Sequence, residues 1–406
     1  MMTVPFQFTT VSETKIPFLL LFTIFFENIY VLLFSIGLPQ QLVYYSHFLC
    51  IIISFAYILI NDSKSVFSQP LIFYLIWTLY VFANTLIKGA DYWESPIYMF
   101  FSIFSSYVVL LICQYAFKRN EKALCLAIII SLFAYIIVAA RHIGLGNLTI
   151  DERMDNENVN ANALGERAAT LLFFLNVGFF QKRYGILKLL VYSIIPIVCV
   201  VLSGSRTSFG MAAIVYLPFL LPTKLSVSQL WGRIFVFVGF YIAISWIMDN
   251  SILGERLMNT SSQSSNASLE TGSFWDLFGD RGYQYYISIP VIAENFFTGI
   301  GLGNFLSRVS GAFVVLHSEY LIQLLECGIV GFILYYYNYY FTIKNLVIKT
   351  VAVEERRLKY LCVCGIVAIL FACFVTRVSY YSFFACILGF VLNYSYQNYD
   401  DTVHTL

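Results

Sequence analysis

Residues 16–37 read IPFLLLFTIFFENIYVLLFSIG, an apolar run behind a single cation, Lys15. Its length matches the roughly 20 residues that carry a helix across a bilayer core. It holds no small-residue cleavage site, so it is expected to remain as a first span rather than leave as a signal peptide. The pattern returns at about 41–60, 70–88, 96–117, 122–140, 164–181, 185–203, 206–221, 231–249, 318–342, 358–375 and 379–396. The sequence therefore predicts an all-α polytopic membrane protein with about 12 transmembrane helices, one integral membrane domain over 1–406. Composition agrees, with 59% hydrophobic and 12% charged residues and a mean hydropathy of +0.76. Soluble domains carry about 25% charged residues. A chain this poor in charge cannot cover itself with a water-facing surface, which excludes a soluble enzyme, a nucleic-acid binder and a disordered protein. The net charge of +1 points to no polyanionic partner.

All nine cysteines fall inside apolar blocks, which argues against a disulfide framework or a zinc site. Cys362 and Cys364 point to two sides of one helix and are expected to pack towards lipid.

Charge gives the orientation. With both termini on the same side, the segments on that side hold 15 of the 24 basic residues, and the loop 344–359 alone has five. The positive-inside rule then puts both termini in the cytoplasm. The other nine cations are Lys88, Arg141, Arg153, Arg167, Arg206, Arg256, Arg281, Arg308 and Arg377. Eight are arginine, the side chain suited to bidentate, permanently charged recognition of carboxylate and phosphate. An anionic ligand on that face is one explanation. Local pairing with acids such as Asp151, Glu152 and Asp280 is the other. Two segments on this side are too long for turns: 141–163, and the large loop 250–317 between spans 9 and 10. Thr260–Gly272 is rich in Ser and Asn and reads as mobile. RGYQYYISIPVIAENFFTGIGLGNFL (281–306) is apolar enough to lie at the membrane interface.

Three places could carry chemistry. Ser203-Gly204-Ser205-Arg206-Thr207-Ser208 opens span 8 at its outward amino terminus, where free N–H groups and the positive helix end favour an anion. Ser205 is a candidate N-cap. The plain alternative is a tight turn with Arg206 snorkelling to the headgroups. Leu316-His317-Ser318-Glu319-Tyr320 opens span 10, where the helix terminus keeps His317 neutral and able to accept a proton. A cap at the interface is the alternative, and Glu319, two residues on, either counterbalances the helix terminus or engages a polar partner. Asp280-Arg281-Gly282 precedes the run Gly299-Ile300-Gly301-Leu302-Gly303-Asn304. No strand precedes these glycines, so they read as close packing of a loop on helices, not as a dinucleotide loop. Glu27 and Glu326 lie within spans, where an ionisable group is a functional candidate.

The order of these features resembles the superfamily of O-antigen polymerases (the Wzy type) and O-antigen ligases. The resemblance covers roughly residues 70–340 and is carried most clearly by His317-Ser-Glu-Tyr-Leu through Glu326-Cys-Gly328 and Gly331. Asn160-Ala161-Asn162-Ala163-Leu164-Gly165 is similar to a family Asn-Pro-Asn segment, with Ala161 in the proline's place. The resemblance implies a GT-C-like, metal- and cofactor-independent inverting glycosyltransferase of the bacterial inner membrane, with its active site at the periplasmic face. It puts Arg206, Arg281 and His317 in the catalytic set, His317 as base. Lys88, Arg167, Asn162 and Glu319 join Arg206 and Arg281 in binding substrate, an undecaprenyl-pyrophosphate-linked oligosaccharide among membrane lipids. A flippase and a chain-length regulator are the implied protein partners. A polymerase is favoured by the many aromatic residues (30 Tyr, 39 Phe) and by the HSEYLIQLLE segment. An O-antigen ligase acting on lipid A–core is the first alternative. A twelve-span precursor transporter or flippase is the second, and it would more naturally carry charges at the midplane of broken helices.

Overall fold

The computed structural model describes residues 15–33, 37–69, 71–90, 94–143, 160–220, 250–251, 253, 280–309 and 316–396. Among these residues the chain forms helices and turns and no strand. In order they are α1 (Phe18–Leu33), α2 (Gln40–Asn61), α3 (Ser63–Val66), α4 (Leu71–Lys88), α5 (Glu94–Ile143), α6 (Ala161–Phe180), α7 (Ile186–Leu202), α8 (Arg206–Leu220), α9 (Asp280–Glu294), α10 (Asn304–Arg308), α11 (Glu319–Ile348), α12 (Arg356–Ala372) and α13 (Ser382–Tyr396). Five helices (α2, α4, α5, α6 and α11) are long and apolar enough to cross a membrane by length and composition. Shorter apolar helices form over Phe18–Tyr30, Ile186–Leu202, Arg206–Leu220 and Ser382–Tyr396. The expected span 231–249 and the Thr260–Gly272 segment lie outside the described residues.

With 50 residues α5 would be about 75 Å long as a straight rod, more than twice a bilayer core. It is not straight. Asn120 leaves the helical region (φ −157°, ψ 84°), and its side chain caps the second half by accepting the Ala123 N–H at 3.0 Å. The residues around this break bind at one end of the bundle: Arg119 to Asp62 at 3.4 Å and Glu121 to Arg183 at 3.0 Å. Lys182 pairs with Glu354 at the same end, at 3.1 Å. Residues farther from the break meet the opposite end, where Ser106 donates to the Ser379 carbonyl and Tyr135 lies under Arg167. The two halves of α5 are therefore antiparallel, as the separate blocks 96–117 and 122–140 require.

At the centre stands α6, buried along almost its whole length. Its polar residues Glu166, Arg167, Thr170 and Asn176 are buried along with its apolar ones, so protein, not lipid, surrounds it. Its Phe173 and Phe174 meet Phe390 of α13 edge-on at 6.0 and 5.9 Å. Some intramembrane polar groups are paired between helices. Glu27 binds His47, whose ring stacks on Tyr30 at 4.0 Å, and Asn28 donates to Ser131 at 3.0 Å. Cys362 differs from expectation: it is fully buried between helices, and only Cys364 of that pair is partly exposed. All nine cysteines are free thiols.

Candidate functional site

Two helix amino termini lie side by side at the end of the bundle away from the lysine-rich loops. At the first, Asn160 caps α6, its Oδ1 accepting the Asn162 and Ala163 N–H groups at 2.9 and 3.3 Å. Ala161 occupies the first helical position, where proline is favoured but not required, so the Asn-Ala-Asn segment still starts a helix. At the second, Ser205 caps α8 by accepting the Ser208 N–H at 3.3 Å, the role expected of it. Gly204 makes the turn possible with φ +56°. The two termini touch: a Cβ on Gly165 would fall 2.5 Å from the hydroxyls of Ser203 and Ser208. Only glycine allows that approach. Arg206 is the first residue of α8 and its side chain is exposed, while Asn162 is partly buried.

One turn along α6, two ionisable residues turn inward. Glu166 accepts the Thr376 hydroxyl at 2.6 Å. The Arg167 guanidinium, only 5% exposed, stands over the Tyr135 and Phe383 rings at 4.1 and 4.6 Å. Its Nη1 donates to the Ala163 carbonyl at 3.4 Å, and its Nε has no hydrogen-bond partner. Thr376 lies in the loop between α12 and α13 and Phe383 in the first turn of α13, so this connection joins the α6 terminus to the next element of the site.

That element is the start of α11. Ser318 is its N-cap residue, its hydroxyl 3.5 Å from the Cys373 carbonyl, and the Glu319 N–H donates to that carbonyl at 2.8 Å. His317, one residue before the N-cap, is exposed, and its backbone N–H donates to Gln284 of α9 at 3.3 Å. Of the two roles open to Glu319 the structure shows the polar partners, wholly inside the protein and away from a substrate-binding surface. It accepts Gln323 Nε2 at 2.7 Å and the Ser379 N–H at 3.1 Å, and Gln323 accepts Trp77 Nε1 at 3.1 Å.

The glycine run docks here as a packing device. Ile300 and Gly301 donate to the Leu325 and Glu326 carbonyls, both at 2.9 Å. Gly299, Gly301 and Gly303 all have positive φ. The turn fits because α11 is broken at Gly328 (φ 65°, ψ −172°), a conformation open essentially to glycine alone. A Cβ on Gly328 would lie 2.4 Å from the Phe297 backbone. The 281–306 stretch thus packs on α11 through Ile287, Val291 and Ile300, leaving Tyr286, Ile289 and Phe297 exposed. Lys88, at the end of α4, adjoins the same turn: a Cβ on Gly301 would lie 3.2 Å from its own, and Arg308 donates to its carbonyl at 3.4 Å.

The structure therefore brings Lys88, Asn162, Arg167, Arg206, His317 and Glu319 to one end of the bundle. Arg281 lies in the first turn of α9, three residues before Gln284, with its side chain outside the described residues. Two contributors escaped the sequence reading. Glu166 was not singled out in the sequence at all. Arg377 was counted among the outward cations but given no role, although it pairs with Glu326. An acid within a span demands a nearby cation, and that demand was the available signal.

No curated protein matches this chain. Residues 191–336, which hold the Ser203–Ser208 turn, α9, the glycine turn and the first half of α11, match the family model described as O-antigen ligase, a match consistent with the superfamily that the motifs resemble.

Proposed function

We propose that the protein is an O-antigen polymerase. It moves a glycan from undecaprenyl pyrophosphate onto a hydroxyl of a second lipid-linked repeat unit. The observation that carries this reading is the convergence, within the matched stretch, of the α8 terminus bearing Arg206 and the α11 start bearing His317 on one end of a membrane bundle.

The donor is already activated, because its leaving group is a pyrophosphate. Catalysis then needs charge stabilisation where that anion departs and a base where the acceptor hydroxyl attacks. Arg206, Arg281 and the α8 amino terminus supply the first, with no reorganisation at the moment of reaction. Lys88 and Arg167 extend the positive lining, and Asn162 meets the sugar at the α6 terminus. His317 takes the hydroxyl proton as the acceptor oxygen bonds to the anomeric carbon. The bond from that carbon to the pyrophosphate oxygen breaks, and undecaprenyl pyrophosphate leaves. One displacement inverts the anomeric centre, and no metal enters the step. Glu319, enclosed by Gln323 and Ser379, orients the His317 segment rather than touching substrate.

The reading includes about twelve spans forming one integral domain over 1–406 of the bacterial inner membrane, cytoplasmic termini, and periplasmic loops at 141–163 and 250–317. Flippase and chain-length proteins are its expected partners. A ligase acting on lipid A–core would use the same site, and the acceptor separates the two. Deleting the gene and running the lipopolysaccharide on a gel tests the choice. Core bearing a single repeat supports the polymerase. Bare core with accumulated lipid-linked polymer replaces it with the ligase.

A further inference from the structure

The loop between α12 and α13 lies outside the matched stretch, yet it grips the first turns of α11 at three points. The Cys373 carbonyl takes the Glu319 N–H, the Ser379 N–H donates to the Glu319 carboxylate, and Arg377 Nη2 donates to the Glu326 carboxylate. Glu319, Gln323 and Glu326 recur at i, i+4 and i+7, so they form one face of the helix. Arg377 is the charged member of this grip. Its guanidinium lies over the Tyr380 ring at 4.0 Å while it meets a carboxylate that is 2% exposed. A planar, delocalised cation suits that place better than an ammonium.

Glu326 is also where the glycine turn docks. Its carboxylate meets the Gly303 backbone N–H, and its carbonyl accepts from Gly301 at 2.9 Å and from Asn84 of α4 at 3.3 Å. Two residues later comes the break at Gly328. One ion pair thus sits at the junction of α4, the glycine turn, the broken helix and the last loop. A buried carboxylate deprived of its cation is strongly disfavoured and turns towards water. That movement would release the turn and shift the α11 start.

We propose that Arg377 is a positioning residue for glycan transfer: by holding Glu326 it sets His317 at one end of the broken helix against the Lys88 end of α4. The proposal rests on the transfer reading given above. The test uses the full-length protein in lipid nanodiscs, with an undecaprenyl-pyrophosphate-linked repeat as substrate. Arg377→Gln and Arg377→Lys are compared with the double variant Arg377→Gln/Glu326→Gln, which leaves no lone buried carboxylate to unfold the protein. The expected result for the double variant is a kcat at least tenfold lower, a KM within about threefold, and amide exchange at least tenfold faster over 299–304 and 317–322 but unchanged over 186–202. Arg377→Lys should recover part of the kcat. Native kcat or native exchange in the double variant overturns the proposal, and so does a raised KM with native kcat, which would put Arg377 on the substrate. An active His317→Ala enzyme would defeat the base assignment while leaving the Arg377 result to stand. Should the native protein transfer no lipid-linked glycan, the transfer reading fails, and the exchange rates alone decide whether Arg377 clamps these segments.

Discussion

His317 is exposed two residues before α11, while Glu319, the first residue of that helix, is wholly enclosed. The two therefore make opposite predictions. His317→Ala and His317→Asn should both abolish transfer while the protein still inserts and still binds the lipid-linked donor. Ser318, not His317, is the cap residue, so asparagine at 317 has no helix to rescue. Turnover should fall on the acid side as the imidazole takes up a proton, because a general base must be neutral to act. A pH–rate profile without an acid limb, or an active His317→Asn enzyme, would remove the base. For Arg206, lysine keeps the charge but loses the planar fork. Arg206→Lys should lose at least tenfold in kcat/KM, about 1.4 kcal/mol of transition-state stabilisation. Normal turnover in that variant, measured at equal protein level, would reduce Arg206 to a headgroup anchor. Much of this scale was legible in the sequence, because a cap such as Ser205 acts within three residues of itself. The Glu326–Arg377 pair was not, since 51 positions separate its members and only the fold supplies the distance.

At the scale of elements, the broken helix α11 is the telling one. Gly328 and Gly331 lie three residues apart in one apolar run. Gly328 breaks the helix and Gly331 remains within it, its Cβ position 3.1 Å from the Tyr80 ring. Local sequence does not distinguish the two. The break is set by the turn 295–304 pressing its backbone against Gly328, a contact known only once α9 is placed. Gly328→Ala should cost about 1–3 kcal/mol for the backbone conformation alone, with the collision against Phe297 added. A lowered melting temperature in detergent together with lost transfer is expected. An alanine variant with native stability would mean that the helix tolerates being continuous there. The glycine run itself was read correctly as close packing, because the missing strand excluded the nucleotide alternative. The central position of α6 was not legible: composition tells apolar from polar, but not lipid from protein as the neighbour of an apolar face.

For the whole molecule, the partition of charge between the two ends is the feature on which orientation depends. Asp62, Arg119, Glu121, Lys182, Arg183 and Glu354 meet at one end, and Lys88, Arg167, Arg206, His317 and Arg377 gather at the other. Hydropathy made the bundle legible because bilayer thickness sets helix length, and the positive-inside bias predicts which end faces the cytoplasm. In a cysteine-free background, a membrane-impermeant maleimide applied from the periplasmic side should label a cysteine placed within 260–272. It should label Lys182→Cys only after the membrane is opened. The reverse pattern would invert the protein and carry the site into the cytoplasm. The most direct test of the polymerase assignment is a reaction with one substrate. Purified protein in nanodiscs is given the undecaprenyl-pyrophosphate-linked repeat unit alone, and the products are resolved by length. The account predicts a ladder of lipid-linked glycans rising by one repeat per step; donor left unchanged until lipid A–core is added, and then joined only to that core, would contradict it.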